Sequence, residues 1–157
     1  MEQKTKVHAE DGKQELLITR EFDLPLELLF KAYTVPEFLE QWMGTEVVKL
    51  ENKPHGSWQI QTKDGRGNVV FRANGVIHEF VPEQKITRTF EMENTPFGVQ
   101  LEFLEFEALT DDTSKINIHT LYRSAALRDQ MIHIGVGMAK GLDMAHNRLQ
   151  EVIGKLK

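Results

Sequence analysis

The chain has 157 residues, no cysteine, and 24 acidic against 19 basic side chains, a formal net charge of −5. Disulfides and thiolate metal centres are excluded. The basic residues are scattered rather than gathered into the positive face that a phosphate backbone needs, so no nucleic-acid partner is expected.

The opening, MEQKTKVHAEDGKQ, is polar and lacks the apolar middle of a signal peptide, and no apolar run is long enough to span a bilayer. A cytoplasmic protein is expected, with a flexible segment over 1–13 and a single domain over 14–157. Strand character begins at Gln14. Leu16, Ile18, Arg20 and Phe22 share one face of that strand, and the arginine in this apolar row must lie near an edge or meet an acid.

Two short helices follow. Asp23 and Pro25 supply a start signal, and Leu28, Leu29, Ala32 and Tyr33 a buried side at helical spacing. Thr34-Val35-Pro36-Glu37 fits a capping box, predicting a second helix over 36–41 that Trp42 and Gly44 end.

Six strands are then predicted: 46–51, 57–62, 69–80, 85–92, 99–109 and 115–122. Turn-forming residues separate them, among them Pro54-His55-Gly56, Asp64-Gly65-Arg66-Gly67 and Asn94-Thr95-Pro96. Short connections make the sheet an antiparallel meander. Trp58, Ile60 and Thr62 form one inward row. Phe71, Ala73, Gly75, Ile77 and Glu79 form the next, its small Ala73 and Gly75 letting the last helix lie close. Ile86, Arg88, Phe90 and Met92 make a third row, and Ile116, Ile118, Thr120 and Tyr122 a fourth. In 99–109 the apolar phase breaks between Phe103 and Leu104, which predicts a bulge near Phe103.

The last helix is predicted over Gly137–Leu156. Met138, Leu142, Ala145, Leu149, Ile153 and Leu156 form its apolar stripe, with Lys140, Asp143, Asn147, Gln150, Glu151 and Lys155 on the other side. Gly137 and Gly141 disturb it, either for close packing or to leave room for a guest between helix and sheet.

Several stretches together resemble one family. They are Ile18-Thr19-Arg20-Glu21-Phe22 with Pro25, Phe30, Ala32, Thr34, Pro36-Glu37, Leu39 and Trp42-Met43-Gly44; the run Gly75 to Glu83; and Gly137-Met138, Gly141 and Arg148-Leu149. The family is that named for the activator of heat-shock protein 90 ATPase. The resemblance spans Gln14 to Ile153 and implies a START-like, helix-grip α+β fold, ordered β-α-α-β6-α, with the sheet wrapped around the C-terminal helix. It also implies a cavity between the two. Relatives commonly carry tryptophan where Tyr33, Met43 and Leu142 stand, so the cavity here has its own shape.

The activity expected is non-catalytic binding of a small, largely hydrophobic molecule, lipid or polyketide-like. Trp42, Trp58, Ile60, Phe71, Phe90, Met138 and Leu142 would form the walls, and Glu79 with Arg88 would orient a polar end. These aromatics equally fill an ordinary core. Two alternatives remain. A cyclase- or hydrolase-type enzyme would draw on Glu79, His78, His119 or Tyr33. A chaperone-associated stress-response module would use Phe38, Met43 and Phe97 as a patch. No nucleophile-elbow or phosphate-loop motif is present, the six histidines lack metal-ligand spacing, and no metal or cofactor is expected.

Overall fold

Apolar–polar alternation gathers most of the chain into one sheet, and the turn residues between alternating runs make every pairing antiparallel. The computed structural model describes residues 3–157. Its elements are β1 (Lys6–His8), β2 (Glu15–Phe22), α1 (Leu26–Thr34), α2 (Pro36–Met43), β3 (Glu46–Leu50), β4 (Ser57–Lys63), β5 (Val69–Val81), β6 (Lys85–Met92), β7 (Val99–Ala108), β8 (Ser114–Leu121), α3 (Ala125–Ile132) and α4 (Met138–Gly154). The strand order is β1-β2-β8-β7-β6-β5-β4-β3. The helical pair α1–α2 carries the chain from β2 to the far edge, and the meander returns to close against β2. No helix among the described residues is long and apolar enough to cross a membrane.

The six central strands fall where alternation and turn chemistry predict them. Two elements are additional. Residues 1 and 2 lie outside the described residues, but within the segment expected to be loose, Lys6–His8 pairs with β2 as an edge strand. Helix α3 was not expected because its sequence, AALRDQMI, buries only Arg128 and Met131 and so has little apolar periodicity. It starts at Ser124, whose Oγ accepts from Leu127 N at 3.1 Å.

Three local expectations are corrected. The capping box does not form: α2 has no side-chain cap, and the Thr34 hydroxyl donates back to Phe30 O at 2.9 Å. Gly44 does end α2, in the left-handed region at φ 68°. No bulge lies at Phe103, which stays in register with Thr87 and His119 while Leu104 pairs with Ile86 and Ile118. The relevant bulge is in β5, where the register shifts between Ile77 and Glu79, leaving His78 as the extra residue. His78 and Glu79 are consequently both exposed, and Phe80 takes the inward place, packing on Phe30. Nor does Gly75 bring α4 close. A Cβ there would overlap the Thr89 carbonyl oxygen and sit 2.6 Å from Trp58 Nε1, because the indole crosses Gly75 to donate to Thr89 O at 3.1 Å.

Helix α4 packs against α2 and, through Leu149 and Ile153, reaches the inner face of the sheet. Leu149 and Ile153 are fully buried among Phe22, Leu24, Leu29 and Ile116. Each such burial stabilises by about 1.5–3 kcal/mol, while Leu156 at the helix end is half exposed. Polar residues beside the stripe tie the helix to β2 and the residue after it. Buried Arg20 donates to Asp143 Oδ1 at 3.2 Å and to Asn147 Oδ1 at 2.9 Å, so the arginine of the apolar row does meet an acid. Gln150 accepts from Asp23 N at 2.8 Å.

Candidate functional site

The buried side chains form two separate clusters. The larger joins the sheet to α1, α2 and the end of α4; the smaller consists of Leu16, Phe97, Tyr122 and Met131 near α3. Between them lies a cavity of about 320 Å³. Trp42 and Trp58 from the first cluster and Tyr122 and Met131 from the second face it, and Met138, Leu142, Ala145 and His146 of α4 form its roof.

Three adjacent strands make its polar wall. Arg88 of β6 donates through Nε to Glu102 Oε1 of β7 at 2.9 Å, and Gln100 Nε2 donates to Glu102 Oε2 at 3.3 Å. Thr120 of β8 lies beside them. The Arg88 guanidinium carbon sits 4.1 Å from the centroid of the Trp58 ring, a cation–π stack in a largely dehydrated place. Trp58 in turn packs on Phe90, ring centroids 5.7 Å apart.

On the helical side, Tyr33 OH lies 3.4 Å from His146 Nε2, and His146 Nδ1 lies 2.6 Å from Thr5 Oγ1. Burial, then the nearby Arg20 charge, lowers the His146 pKa to about 4, so the imidazole is neutral at pH 7, donating through one nitrogen and accepting at the other. Burial raises the phenols of Tyr33 and Tyr122, which stay protonated. The Asp143 carboxyl is held low by the Thr5 backbone N–H and by Arg20. Thr5 thus closes a polar chain that runs from buried Tyr33 and His146 to partly exposed Asp143 and buried Arg20.

Six of the nine expected site residues meet at this cavity: Trp42, Trp58, Arg88, Phe90, Met138 and Leu142. Ile60 and Phe71 belong to the packed core and do not line it. Glu79 is placed elsewhere. The His78 bulge turns it outward, where it accepts from Thr87 Oγ1 at 2.8 Å and pairs with Lys85 at 3.0 Å, so the anticipated Glu79–Arg88 pair is absent and Glu102 is the acid on Arg88. Of the residues weighed for catalysis, Tyr33 alone lines the cavity. His78 is exposed, and His119 lies on the outer face, 2.6 Å from Glu15 and stacked on Phe103.

Sequence reasoning missed Gln100, Glu102, Met131 and His146. A signal existed for three of these. The phase break read as a bulge is the point where the inward row of β7 turns from Leu104 and Phe106 to Glu102 and Gln100. His146 continues the spacing of Leu142, Leu149 and Ile153 as regularly as Ala145 does.

An antiparallel sheet with a long C-terminal helix laid on it and a cavity between them defines a helix-grip domain of the START-like class. Residues 23–154 match the family described as Activator of Hsp90 ATPase homolog 1-like protein, and the chain belongs to that family. Protein Ms6760 from Mycobacterium smegmatis is similar in structure, with a TM-score of 0.81 and 21% identity, covering 94% of this chain and 95% of that one. A protein from Rhodobacter sphaeroides has a TM-score of 0.81 at 17% identity, covering 97% of this chain and 100% of that one. One from Staphylococcus epidermidis has a TM-score of 0.79 at 17% identity, covering 97% and 95%. At such identities the likeness is one of fold. Comparison with curated proteins gives no match.

Proposed function

We propose that this protein binds a small, largely apolar molecule, without chemical conversion, in the cavity between the sheet and α4. The observation that supports this is the break in the core. The end of α4 around Leu149 and Ile153 is packed solid, whereas the stretch around Leu142 leaves about 320 Å³ open between two hydrophobic clusters. Protein interiors are close-packed, so an apolar opening of this size beside a packed core is room that a guest can fill. Trp42, Trp58, Phe90, Met138 and Leu142 supply apolar wall, and Arg88 orients the guest's polar end. The family name raises a chaperone partner, but Phe38, Met43 and Phe97 make a poor patch for one: Phe97 is buried and Phe38 packs against the core.

Native mass spectrometry of the protein purified from its own cell extract tests the reading. The expected result is a mass excess that is lost on denaturation and identified after extraction. A clean apo mass, with no chemical-shift change against fatty acids, sterols and aromatic polyketides, overturns it.

A further inference from the structure

Arg88 and Glu102 are the charged side chains of the cavity wall, and they neutralise each other. His146 is neutral at pH 7, and the phenols of Tyr33 and Tyr122 hold their protons. The wall is therefore polar yet electrically balanced.

The balance is uneven in its hydrogen bonding. Glu102 has both oxygens engaged, by Arg88 and by Gln100. Arg88 donates through Nε; among the described residues Nη1 and Nη2 make no hydrogen bond, and they are not sealed away, so a molecule in the cavity can reach them. A guanidinium cannot shed its charge, so these donors seek an oxygen from whatever fills the cavity. A carboxylate offers one but adds a second anion beside Glu102, with a single cation to serve both, in a place where desolvating an ion is costly. A carbonyl oxygen accepts the same bonds and adds no charge. The aromatic rings of Trp42, Trp58 and Phe90 along the wall favour a planar body. A volume near the low end of the roughly 300–1,000 Å³ typical of ligand pockets excludes a two-chain lipid.

We infer that the cavity selects an uncharged, flat molecule that presents a carbonyl oxygen to Arg88, and that Glu102 is the residue that turns away the matching carboxylate. This rests on the binding reading above and sharpens it.

Three probes of nearly equal size separate the two: 2-acetylnaphthalene, 2-naphthoate and 2-ethylnaphthalene, titrated at neutral pH. The chain has two tryptophans and both line the cavity, so quenching of their emission reports occupancy directly. The ketone is expected to bind more tightly than the carboxylate by at least about tenfold. In Glu102→Gln the order reverses, because Arg88 then lacks its anion. In Arg88→Met the ketone loses its advantage over the ethyl compound, a readout that stands even if Glu102→Gln fails to fold. A carboxylate that binds the wild type as tightly as the ketone overturns the charge inference while leaving cavity binding intact. Failure of all three to quench overturns both.

Discussion

Thr5 and His146, 141 positions apart, are joined by a 2.6 Å contact between Oγ1 and Nδ1 that fastens the residue before β1 to the last helix. The imidazole is held neutral in the fold, with a pKa of about 4 against 6.5 when free. Its folded pKa is depressed, so the unfolded chain takes up a proton that the folded one refuses. Stability is therefore unaffected above the free value, falls as pH drops through the window from about 6.5 to 4, and has lost on the order of 3 kcal/mol from this residue below it. Urea midpoints at about pH 7 and about pH 5 are expected to differ, and His146→Gln is expected to flatten that difference.

Two glycines are expected to respond in opposite directions. A Cβ at Gly141 would meet only Val136 Cγ2, at 4.0 Å, so no packing reason holds glycine there. Gly141→Ala should raise stability by up to about 1 kcal/mol through helix propensity. Gly75→Ala must displace both the Thr89 carbonyl and the Trp58 indole and should cost about 1–3 kcal/mol. Thermal melts of the two variants show the sign directly.

Arg20 is buried while its partner Asp143 is partly exposed, so loss of either is not equivalent. Asp143→Ala leaves the guanidinium with Asn147 but without an anion, at an expected cost of about 2–3 kcal/mol after allowance for water reaching the site. Arg20→Met combined with Asp143→Ala should cost less than the sum of the two single changes. A double-mutant cycle in denaturant measures the coupling.

Leu142→Trp is expected to fill the cavity. Because the added volume enters open space rather than packed core, the melting temperature should stay within a few degrees while any co-purifying mass is lost. Native mass spectra of the variant and the parent, prepared side by side, decide it.

Much of the architecture was legible because alternation and turn chemistry are local. The strands from Glu46 to Leu121 follow from side chains two apart and from Gly, Asn, Asp and Pro between them. The cavity was harder to see for a physical reason. The rule that the apolar row faces inward holds for a packed core and inverts where the interior is polar. In β7, Leu101 and Phe103 face out while Gln100 and Glu102 face the cavity. Glu79 was misplaced by the opposite fault, an unbroken count of two carried across a strand that holds one residue more than its neighbour. Neither Ser124 nor the short run after it announced α3, which is fixed by Arg128 reaching Glu10 O and Glu15 O, contacts more than a hundred positions away.

The irregularity at His78 also bears on how this strand can vary in length. With His78 present, it and Glu79 share the outer side, and Ile77 and Phe80 the inner. Deleting that one codon would restore strict alternation with the same residues inside, whereas straightening the strand without shortening it would drive a carboxylate inward and Phe80 away from Phe30. A relative one residue shorter at this point would preserve the interior, and alignments that force equal length through it would pair side chains from opposite faces.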